Sequence, residues 1–416
     1  MRELNVELYG SLIGILTQKG RSVEFSIQPE VLRKYQLSST IMSIAVPLNL
    51  RYTNAQKKRC ANFFLELLPE GRNLEWIEQT LTRNEQTPFD ILRRYGRDIA
   101  GALSIYDPAD PARDIPPVCE PVSTQAIRYL LEHMPRAPLA NAPDSGRSSL
   151  GGVQGKILLA KIGDQWQRVH HGYPSTHILK PVVPEFPTMI YDEAFCMQMA
   201  YHAGLTAYPV WIEDFDGVDA LVIERYDRSS VAGEDRLHQE DCNQALGARG
   251  NEKYQEYGGK VTAKRIAQTI ARYASEDDVK RFASYLLFAI AIGNMDMHAK
   301  NISLLHYPND TITLAPIYDQ LPHRHLNNDG KMALAIDGEY THASLSLAEI
   351  VRELLSWRCS SFINEEETLA FIKSRLDAYM DALWHTKVNK NAYPELTNEI
   401  STFITNLLAG KKVGSI

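Results

Sequence analysis

The polar stretch at residues 293–319 constrains the fold of this chain more than any other part of its sequence. It contains Asp296, then Asn301 five positions later, and it ends in Asp319. Kinase-like folds build a phosphoryl-transfer site in this order, because one carboxylate must face the attacking hydroxyl while an amide oxygen and a second carboxylate hold Mg²⁺ against the nucleotide phosphates. The spacing predicts that Asp296 and Asn301 share one loop and that a hairpin returns Asp319 beside them.

The segments around this stretch strengthen the prediction, since Asp-x-x-x-x-Asn alone occurs by chance in many proteins. The apolar run 284–292 indicates a buried helix, and Gly293 breaks it. The segments 302–307 and 311–315 alternate toward β-structure around a Pro-Asn-Asp turn. A helix, a polar loop, a hairpin and an aspartate follow one another in a kinase C-lobe. The alternative is that the aspartate and the asparagine only cap a helix and a turn.

The composition is that of an ordinary globular protein. With 416 residues and about 150 residues per domain, two or three lobes are expected. The formal net charge of −7 argues against a chain that grips nucleic acid over its whole surface. No apolar run approaches the roughly 20 residues of a membrane span, the first residues lack a signal-peptide core, and the five cysteines form no C-x-x-C pair. We therefore expect a cytoplasmic protein with no membrane contact.

The pattern of elements along the chain predicts an α+β protein with four parts. Residues 1–105 form a small α+β module, and residues 106–148 form a Pro- and Asp-rich linker with one helix. Residues 149–236 are β-rich and punctuated by glycine, whereas residues 237–416 are mostly helical, with the hairpin at 302–315 as the exception. A β-rich half followed by a helical half that holds the catalytic loop is the order of a bilobal kinase.

A glycine-rich segment is a candidate loop over the nucleotide phosphates. Residues 148–156 read Ser-Ser-Leu-Gly-Gly-Val-Gln-Gly-Lys, and a strand follows at 157–160. Three glycines within five residues allow backbone amides to approach phosphate oxygens closely. The segment is neither a Walker A motif nor the G-x-G-x-x-G of protein kinases, so a plain glycine-rich turn is the alternative.

Two later strands could complete a nucleotide site. Lys180 ends a short strand, from which it can reach the α- and β-phosphates, and Glu193 on the next helix can pair with it. The apolar strand that begins at Leu221 runs into Glu224 and Tyr226. This arrangement suits a hinge whose backbone binds adenine while the tyrosine packs on it. For both strands the alternative is an exposed strand end with a solvated charge.

Taken together, these segments resemble the HipA family of type II toxin–antitoxin serine/threonine kinases. The matching pieces span about residues 1–320 and lie at 62–69, 89–92, 96–98, 149–156, 176–181, 224–228, 237–241, 253–254, 258–259, 293–301 and 316–319. The resemblance implies an α+β, bilobal protein-kinase-like fold, of the HipA and phosphoinositide-kinase-like type, with an N-terminal α+β module and a mostly helical C-lobe. It also implies ATP and Mg²⁺ as cofactors.

The resemblance implies a role for each matching residue of the cleft. Asp296 is the expected catalytic base, and Asn301 and Asp319 are the expected Mg²⁺ ligands. The expected ATP-binding residues are Val153, Gln154, Gly155, Lys156, Lys180, Glu224, Tyr226, His298 and Lys300.

Two further sets of residues match the family. Ser149, or the adjacent Ser148, is the expected autophosphorylation site, whose modification expels the glycine-rich loop and switches the kinase off. Gln239, Glu240 and Asp241 are expected to line the substrate side of the site or to have a structural role.

The expected partners follow from the same resemblance. A small DNA-binding antitoxin, similar to HipB, is expected to bind the toxin, and operator DNA is expected to be contacted indirectly through that antitoxin. The family's best-known target is glutamyl-tRNA synthetase, whose phosphorylation stops aminoacylation. An aminoacyl-tRNA synthetase is therefore the expected class of protein substrate.

Departures from the family pattern keep other functions open. Gly155 stands where a glutamate is expected, which would loosen the loop, and the segment 331–336 differs, so the protein target could differ too. His298 makes the pattern Asp-x-His-x-x-Asn, which is also similar to phosphoinositide kinases. One alternative is therefore a kinase of a small molecule or a lipid. The other is a non-catalytic co-repressor that binds a DNA-binding antitoxin, against which the intact catalytic aspartate, metal ligands and strand lysine argue.

Overall fold

An antiparallel sheet near the N-terminus begins the fold. The computed structural model of the protein describes residues 2–82, 85–141, 145–228 and 236–415. Within those ranges, the first sheet contains β1 (Glu3–Leu8), β2 (Ser11–Lys19), β3 (Ser22–Ile27) and β4 (Leu103–Tyr106). The strands pair in the order β3-β2-β1-β4. Leu4, Val6 and Leu8 alternate along β1 and are buried, as a strand with one face on a core requires.

Helices cover one side of this sheet and complete the N-terminal module. They are α1 (Asn54–Leu65), α2 (Gly71–Thr80) and α3 (Pro88–Tyr95). A capping box formed by Thr53 and Gln56 starts α1, because each side chain bonds the other's backbone amide. Phe64 of α1 then packs 5.1 Å from Phe25 of β3, ring centroid to ring centroid.

A second antiparallel sheet follows in the chain. In the described residues it contains β5 (Val118–Pro121), β6 (Ile157–Ile162), β7 (Gln165–His170), β8 (His177–Pro181), β9 (Val210–Phe215) and β10 (Val218–Glu224). The strand order is β5-β7-β6-β8-β10-β9. Helices α4 (Thr124–Glu132) and α5 (Met189–His202) accompany this sheet. The segment predicted to be a linker therefore contains the expected helix, and it also supplies β5 as an edge strand.

The remainder of the chain is mostly helical. Its helices are α6 (Cys242–Ala245), α7 (Ala263–Tyr273), α8 (Glu276–Ile292), α9 (Leu347–Ser356), α10 (Glu365–His385) and α11 (Leu396–Leu408). Helix α8 is buried along nearly all of its length, which explains why the sequence there is an unbroken apolar run. It ends at Gly293, which has φ 73° and so takes the left-handed conformation that ends many helices.

Small sheets interrupt this helical part more often than the sequence predicts. The described strands are β11 (His238–Asp241), β12 (Ser303–His306), β13 (Ile312–Leu314), β14 (Lys331–Ile336) and β15 (Glu339–Thr341). The predicted hairpin is β12–β13, but it pairs with β11, and β14–β15 form a second hairpin. The expectation that the hairpin at 302–315 is the exception in a helical half was therefore wrong. In the described ranges, no helix combines the length and the apolar character needed to cross a membrane.

Candidate active site

A cleft of about 560 Å³ lies where the N-terminal module, the second sheet and the helical part of the chain meet. Its volume is in the range of pockets that bind small ligands and cofactors. The N-terminal module contributes Glu66, Leu67, Glu70 and Arg72 to its wall. The lining from the rest of the chain includes residues 150–156, Lys180, Glu193, Glu224, Tyr226, Gln239, Asp241, Lys253, Tyr254, Asp296, His298, Lys300, Asn301, Tyr318 and Asp319. The cleft thus contains most of the residues that the sequence singles out.

Lys180 links the second sheet to the end of the hairpin. Its Nζ lies 2.8 Å from Glu193 Oε1 and 3.0 Å from Asp319 Oδ1. Burial alone would lower the pKa of Lys180, but the carboxylates of Asp319 and Glu193 outweigh it and raise that pKa. Lys180 is therefore a fixed positive charge between two carboxylates. Its contact with Glu193 is the one that the sequence predicts, and its second contact holds the carboxylate of Asp319 in place.

Asp319 keeps its carboxylate available to the cleft. Its side chain is 43% exposed, whereas that of Lys180 is 7% exposed. Burial would raise the pKa of Asp319, but Lys180 lies close enough to hold that pKa below its ordinary value. The residue has φ 57°, a left-handed conformation that aspartate tolerates better than most residues. An ionised, partly exposed carboxylate of this kind suits a hard divalent cation.

Asp296 and Asn301 share one short loop, as their spacing predicts. Asn301 lies in a 3₁₀ turn, and its Nδ2 donates to the Asp296 backbone oxygen at 3.0 Å. Tyr254 Oη donates to Asp296 Oδ1 at 3.0 Å. Burial raises the pKa of Asp296, while His298 and Tyr254 oppose that shift. The Asn301 amide thereby directs its nitrogen into the loop, which leaves its oxygen as the group for a ligand.

His298 and Lys300, both expected to bind ATP, have different surroundings. His298 packs edge to face on Tyr254 at 5.2 Å, and burial lowers its pKa. Its Nδ1 has no hydrogen-bond partner among the described residues. Lys300 instead places its Nζ 3.0 Å from Glu66 Oε2 and 2.7 Å from Glu70 Oε1. Its ammonium therefore joins the catalytic loop to the N-terminal module.

Glu70 completes an ion-pair cluster that sequence reasoning missed. Lys253 Nζ donates to Glu70 Oε2 at 2.8 Å, opposite the contact with Lys300. Burial would raise the pKa of Glu70, but Lys300 and Lys253 lower it to about 2, so it is ionised at neutral pH. The cluster fastens the corner between α1 and α2 to the catalytic loop. Glu66 and Lys253 lie in segments that match the family but have no assigned role, Lys300 is predicted to bind ATP, and Glu70 has no signal in the sequence.

The glycine-rich segment lies along the cleft between the N-terminal module and the second sheet. Lys156 Nζ donates to the Gly151 backbone oxygen at 2.8 Å. Burial, with a contribution from Lys180, lowers the pKa of Lys156 to about 8. Val153, Gln154 and Gly155 also line the cleft. Two ammonium groups thus face the same space, which suits the anionic oxygens of a polyphosphate.

Ser148 and Ser149 lie outside the lining of the cleft and are each 2% exposed. Ser148 Oγ donates to Asp98 Oδ2 at 3.0 Å. Ser149 Oγ is buried without a hydrogen-bond partner in the described residues. Either hydroxyl would have to leave its present position to be phosphorylated, and leaving costs Ser149 no side-chain hydrogen bond.

The expected hinge lies at the end of β10. Glu224 is the last residue of that strand, and Tyr226 starts a 3₁₀ turn, from which its hydroxyl donates to Gln239 Oε1. The Tyr226 ring lies 5.7 Å from that of Tyr318, centroid to centroid. Aromatic rings therefore wall the cleft at this end, as a flat base would require.

The three residues at 239–241 face in different directions. Gln239 and Asp241 line the cleft, and burial raises the pKa of Asp241 to about 7. Glu240 points away from it, where its carboxylate accepts hydrogen bonds from Ser43 Oγ at 2.6 Å and from the Ile44 backbone amide at 2.7 Å. Glu240 therefore contacts the N-terminal module and does not line the cleft, and its role stays a prediction.

Comparison with known proteins agrees with this architecture. A family model described as the HipA N-terminal domain matches residues 4–106, and one described as the HipA-like C-terminal domain matches residues 148–386. The protein Y4mE of Sinorhizobium fredii is 33% identical over 332 residues, which cover 77% of each chain. The serine/threonine-protein kinase toxin HipA of Shewanella oneidensis is 26% identical over 362 residues, which cover 82% of this chain and 80% of the relative.

A solved structure shows the same fold. The Shewanella oneidensis HipA chain, in a complex with HipB and operator DNA, matches with a TM-score of 0.79 at 20% identity, over 98% of this chain and 96% of that one. The bilobal kinase-like fold with an N-terminal α+β module, predicted from the sequence, is therefore confirmed. The resemblance that the sequence motifs indicate is confirmed as well. The chain belongs to the HipA family of serine/threonine protein kinases.

Proposed function

We propose that this chain is an ATP- and Mg²⁺-dependent serine/threonine kinase that acts as the toxin of a type II toxin–antitoxin pair. One observation carries the proposal: Lys180 bridges Glu193 and Asp319 in the same cleft that holds Asp296 and Asn301. A lysine on a strand, a glutamate on the next helix and a carboxylate after a hairpin are the parts that orient a nucleotide in protein kinases. A protein without catalytic function has no physical need for them together.

The residues present fit Mg²⁺-ATP. The buried ammonium groups of Lys156 and Lys180 are matched to phosphate oxygens, and the Asn301 amide and Asp319 carboxylate are matched to Mg²⁺. Among the described residues, no group of three or more His, Cys, Asp or Glu side chains could hold a metal ion. This agrees with Mg²⁺, which in kinases takes one or two protein carboxylates and fills its remaining positions with phosphates and water.

The chain's own residues account for the remaining requirements of phosphoryl transfer. Mg²⁺-ATP supplies the phosphoryl group and neutralises its developing charge. Asp296 accepts the proton of a serine or threonine hydroxyl, and its raised pKa makes it a better acceptor than an exposed aspartate. Tyr254 holds one carboxylate oxygen, which leaves the other for that hydroxyl.

The proposed partners are a small DNA-binding antitoxin and a protein substrate. The solved Shewanella oneidensis complex holds HipA together with HipB and operator DNA, which supports an antitoxin of that kind here. With a net charge of −7, this chain is expected to contact operator DNA through the antitoxin. An aminoacyl-tRNA synthetase similar to glutamyl-tRNA synthetase is the proposed target, and the proposed place of action is the cytoplasm.

Autophosphorylation at Ser149 is the proposed means of self-inactivation. Ser149 Oγ is buried and unpartnered among the described residues, whereas the Ser148 hydroxyl is bonded to Asp98. Leaving a buried hydroxyl unpaired typically costs about 1–3 kcal/mol, which favours release of Ser149 over Ser148. A phosphate at Ser149 adds roughly −1.5 to −2 charge. A charge of this size is unfavourable at the buried position of Ser149, so the phosphorylated segment stays in solvent.

One experiment separates this function from its alternatives. The purified chain is incubated with γ-labelled ATP, Mg²⁺ and a cell lysate, and an inactive Asp296→Asn variant serves as control. A labelled protein that depends on Asp296 is the expected result, and its identity names the target. ATP turnover without a labelled protein would favour a kinase of a small molecule or lipid. A chain that binds an antitoxin but neither binds nor turns over ATP would be a co-repressor.

A further inference from the structure

The C-terminal end of the glycine-rich segment, at residues 153–155, contacts helix α2 of the N-terminal module. Asn73 Nδ2 donates to the Gln154 backbone oxygen at 2.9 Å. Asn73 is fully buried, and its Oδ1 has no hydrogen-bond partner in the described residues. Two residues earlier, Gly71 has φ 54°, and a Cβ there would stand 2.6 Å from Val153 Cγ1. The start of α2 therefore packs closely against the glycine-rich segment, and the buried Asn73 side chain donates a hydrogen bond to the backbone of that segment.

The next residue of the segment continues the same contact. A Cβ on Gly155 would stand 2.9 Å from Met134 Cε and 3.2 Å from Trp76 Cη2, on the next turn of α2. The sequence predicts that a glycine here loosens the loop. The structure shows instead that the missing side chain allows Trp76 and Met134 to pack directly on the backbone.

The proximal end of the segment contacts another part of the same module. The Asp98 backbone oxygen accepts from Ser149 N at 2.8 Å, and its Oδ2 accepts from Ser148 Oγ at 3.0 Å. Asp98 is fully buried, and Arg228, just after the hinge, donates to its Oδ1 at 2.9 Å. Ser175, just before β8, donates to Oδ2 at 2.6 Å. Asp98 therefore fixes the start of the segment relative to the hinge.

Few residues remain between these two anchors. Leu150 packs against the core of the N-terminal module, so only Gly151 and Gly152 lie between Leu150 and Val153. A Cβ on Gly151 would meet nothing within 4 Å, apart from its own neighbours in the chain. The two glycines therefore face the cleft on a segment that is fixed on both sides.

We propose that Asn73 and Asp98 are positioning residues for nucleotide binding, and that the N-terminal module holds the glycine-rich segment over the phosphate position through them. The proposal rests on the proposed function, because it concerns nucleotide bound by that segment. Neither residue lies in the lining of the cleft, so both act through the backbone that they hold. The module is then a part of the nucleotide site, in addition to any contact that it makes with a partner.

Asn73→Ala tests the distal anchor, with Gln79→Ala as the matched control. Both variants truncate an amide side chain on α2, but Gln79 is exposed. Loss of one hydrogen bond of ordinary strength changes an equilibrium by about fivefold. We expect Asn73→Ala to weaken binding of a Mg²⁺-bound, non-hydrolysable ATP analogue and to raise the KM for ATP by about that factor. The kcat at saturating ATP should stay within about twofold, since the catalytic loop is not touched.

Hydrogen exchange of the nucleotide-free protein gives a readout that does not depend on ATP. Amides at 150–155 should exchange faster in Asn73→Ala than in Gln79→Ala. Equal exchange and equal affinity in the two variants would overturn the proposal, as would a fall in kcat with unchanged affinity. If the parent protein does not bind the analogue, the proposed function fails, while the exchange rates still decide the anchoring. If Asn73→Ala does not fold, Ser148→Ala replaces it, because this variant removes the hydrogen bond from the segment to Asp98. Unchanged exchange and affinity, or a fall in kcat with unchanged affinity, would again overturn the proposal.

Discussion

The two sides of the cleft are held in place by different means. The catalytic side comes from one continuous stretch, in which α8 ends at Gly293, a short loop carries Asp296 and Asn301, and the β12–β13 hairpin leads to Asp319. The phosphate side is the glycine-rich segment, whose start bonds Asp98, 50 residues earlier in the chain, and whose end bonds Asn73, 81 residues before Gln154. The catalytic side is built mainly from elements adjacent in the chain, with Lys300 as its ion-pair contact to the N-terminal module, whereas the phosphate side depends on the docking of that module.

This difference indicates how the two sides respond to a disturbance. A partner that shifts the N-terminal module would first release the phosphate side and change nucleotide affinity. The catalytic loop would keep the support of α8 and the hairpin, which pack within the large helical core, but it would lose the contacts of Lys300 with Glu66 and Glu70. Variants on the catalytic side should accordingly lower the rate of phosphoryl transfer, whereas variants on the phosphate side should lower nucleotide affinity.

The largest expected effect is on the catalytic side. Asp296→Asn should lower phosphoryl transfer by ~10²–10⁴, because the amide cannot accept the hydroxyl proton. Nucleotide affinity and the melting temperature should change little, since Asn keeps the size of the side chain. The measurement is transfer from labelled ATP beside a binding isotherm, with Asp377→Asn, an exposed aspartate on α10, as control. Equal transfer rates in the two variants would remove Asp296 from the role of base.

The next effect concerns the phosphate side alone. Phosphate on Ser149 places a multiple charge on a residue that is 2% exposed, and an unpaired buried charge costs several kcal/mol. The segment should therefore leave its anchors, and ATP affinity should fall by about 100-fold or more. Ser149→Asp should weaken ATP binding more than its matched control Ser149→Ala. A protein phosphorylated at Ser149, verified by mass spectrometry, that still binds ATP normally would contradict the self-inactivation and leave the kinase assignment intact.

The same division explains what the sequence could and could not predict. The spacing predicts that Asp296, Asn301 and Asp319 meet, because a helix, a loop and a hairpin are local structures and their order fixes where the side chains lie. The sequence also predicts the pairing of Lys180 with Glu193, since a strand end and the next helix are adjacent in the chain, and the structure brings the two charged groups to 2.8 Å. The functional roles of these residues stay predictions.

Contacts between distant parts of the chain were not predictable in this way. Lys300 was expected to bind ATP, but its ammonium lies on Glu66 and Glu70, which are 234 and 230 residues away. An ATP contact would require it to leave at least one carboxylate. Strand β11 was missed for the same reason, because its partner β12 lies far along the chain and four residues are too few to show a period. Docking between modules has no signal in local composition.

The third prediction distinguishes two roles of Asp319 at the end of the hairpin, as a metal ligand and as an ion-pair partner of Lys180. Asp319→Asn should weaken Mg²⁺-dependent nucleotide binding by about 10- to 100-fold, because a metal ligand loses its charge. Glu193→Gln removes the other carboxylate on Lys180 and is the matched control, since it does not alter the proposed metal site. Titration of Mg²⁺ at fixed ATP should show a raised requirement in Asp319→Asn alone. The same requirement in both variants would mean that Asp319 acts only as a partner of Lys180.

The smallest expected effect lies beside the base. Tyr254→Phe removes the 3.0 Å hydrogen bond from the tyrosine hydroxyl to Asp296 Oδ1 and leaves the ring in place. One such bond to a charged group is worth about 1.5 kcal/mol at the lower end of its usual range, so we expect kcat to fall by about tenfold. Tyr257→Phe, an exposed tyrosine three residues later, is the matched control.

The pH dependence of Tyr254→Phe decides whether the hydroxyl acts through Asp296. Burial raises the pKa of Asp296, and the hydrogen bond from Tyr254 opposes that shift by stabilising the carboxylate. Without the bond the pKa of Asp296 rises further. The base works when it is deprotonated, so activity increases as pH rises through that pKa, and the acidic limb of the kcat profile must move to higher pH in the variant. The control should keep the parent profile. A loss of activity in Tyr254→Phe that is uniform across pH would assign the tyrosine to substrate contact or packing and would leave Asp296 to be oriented by its own loop.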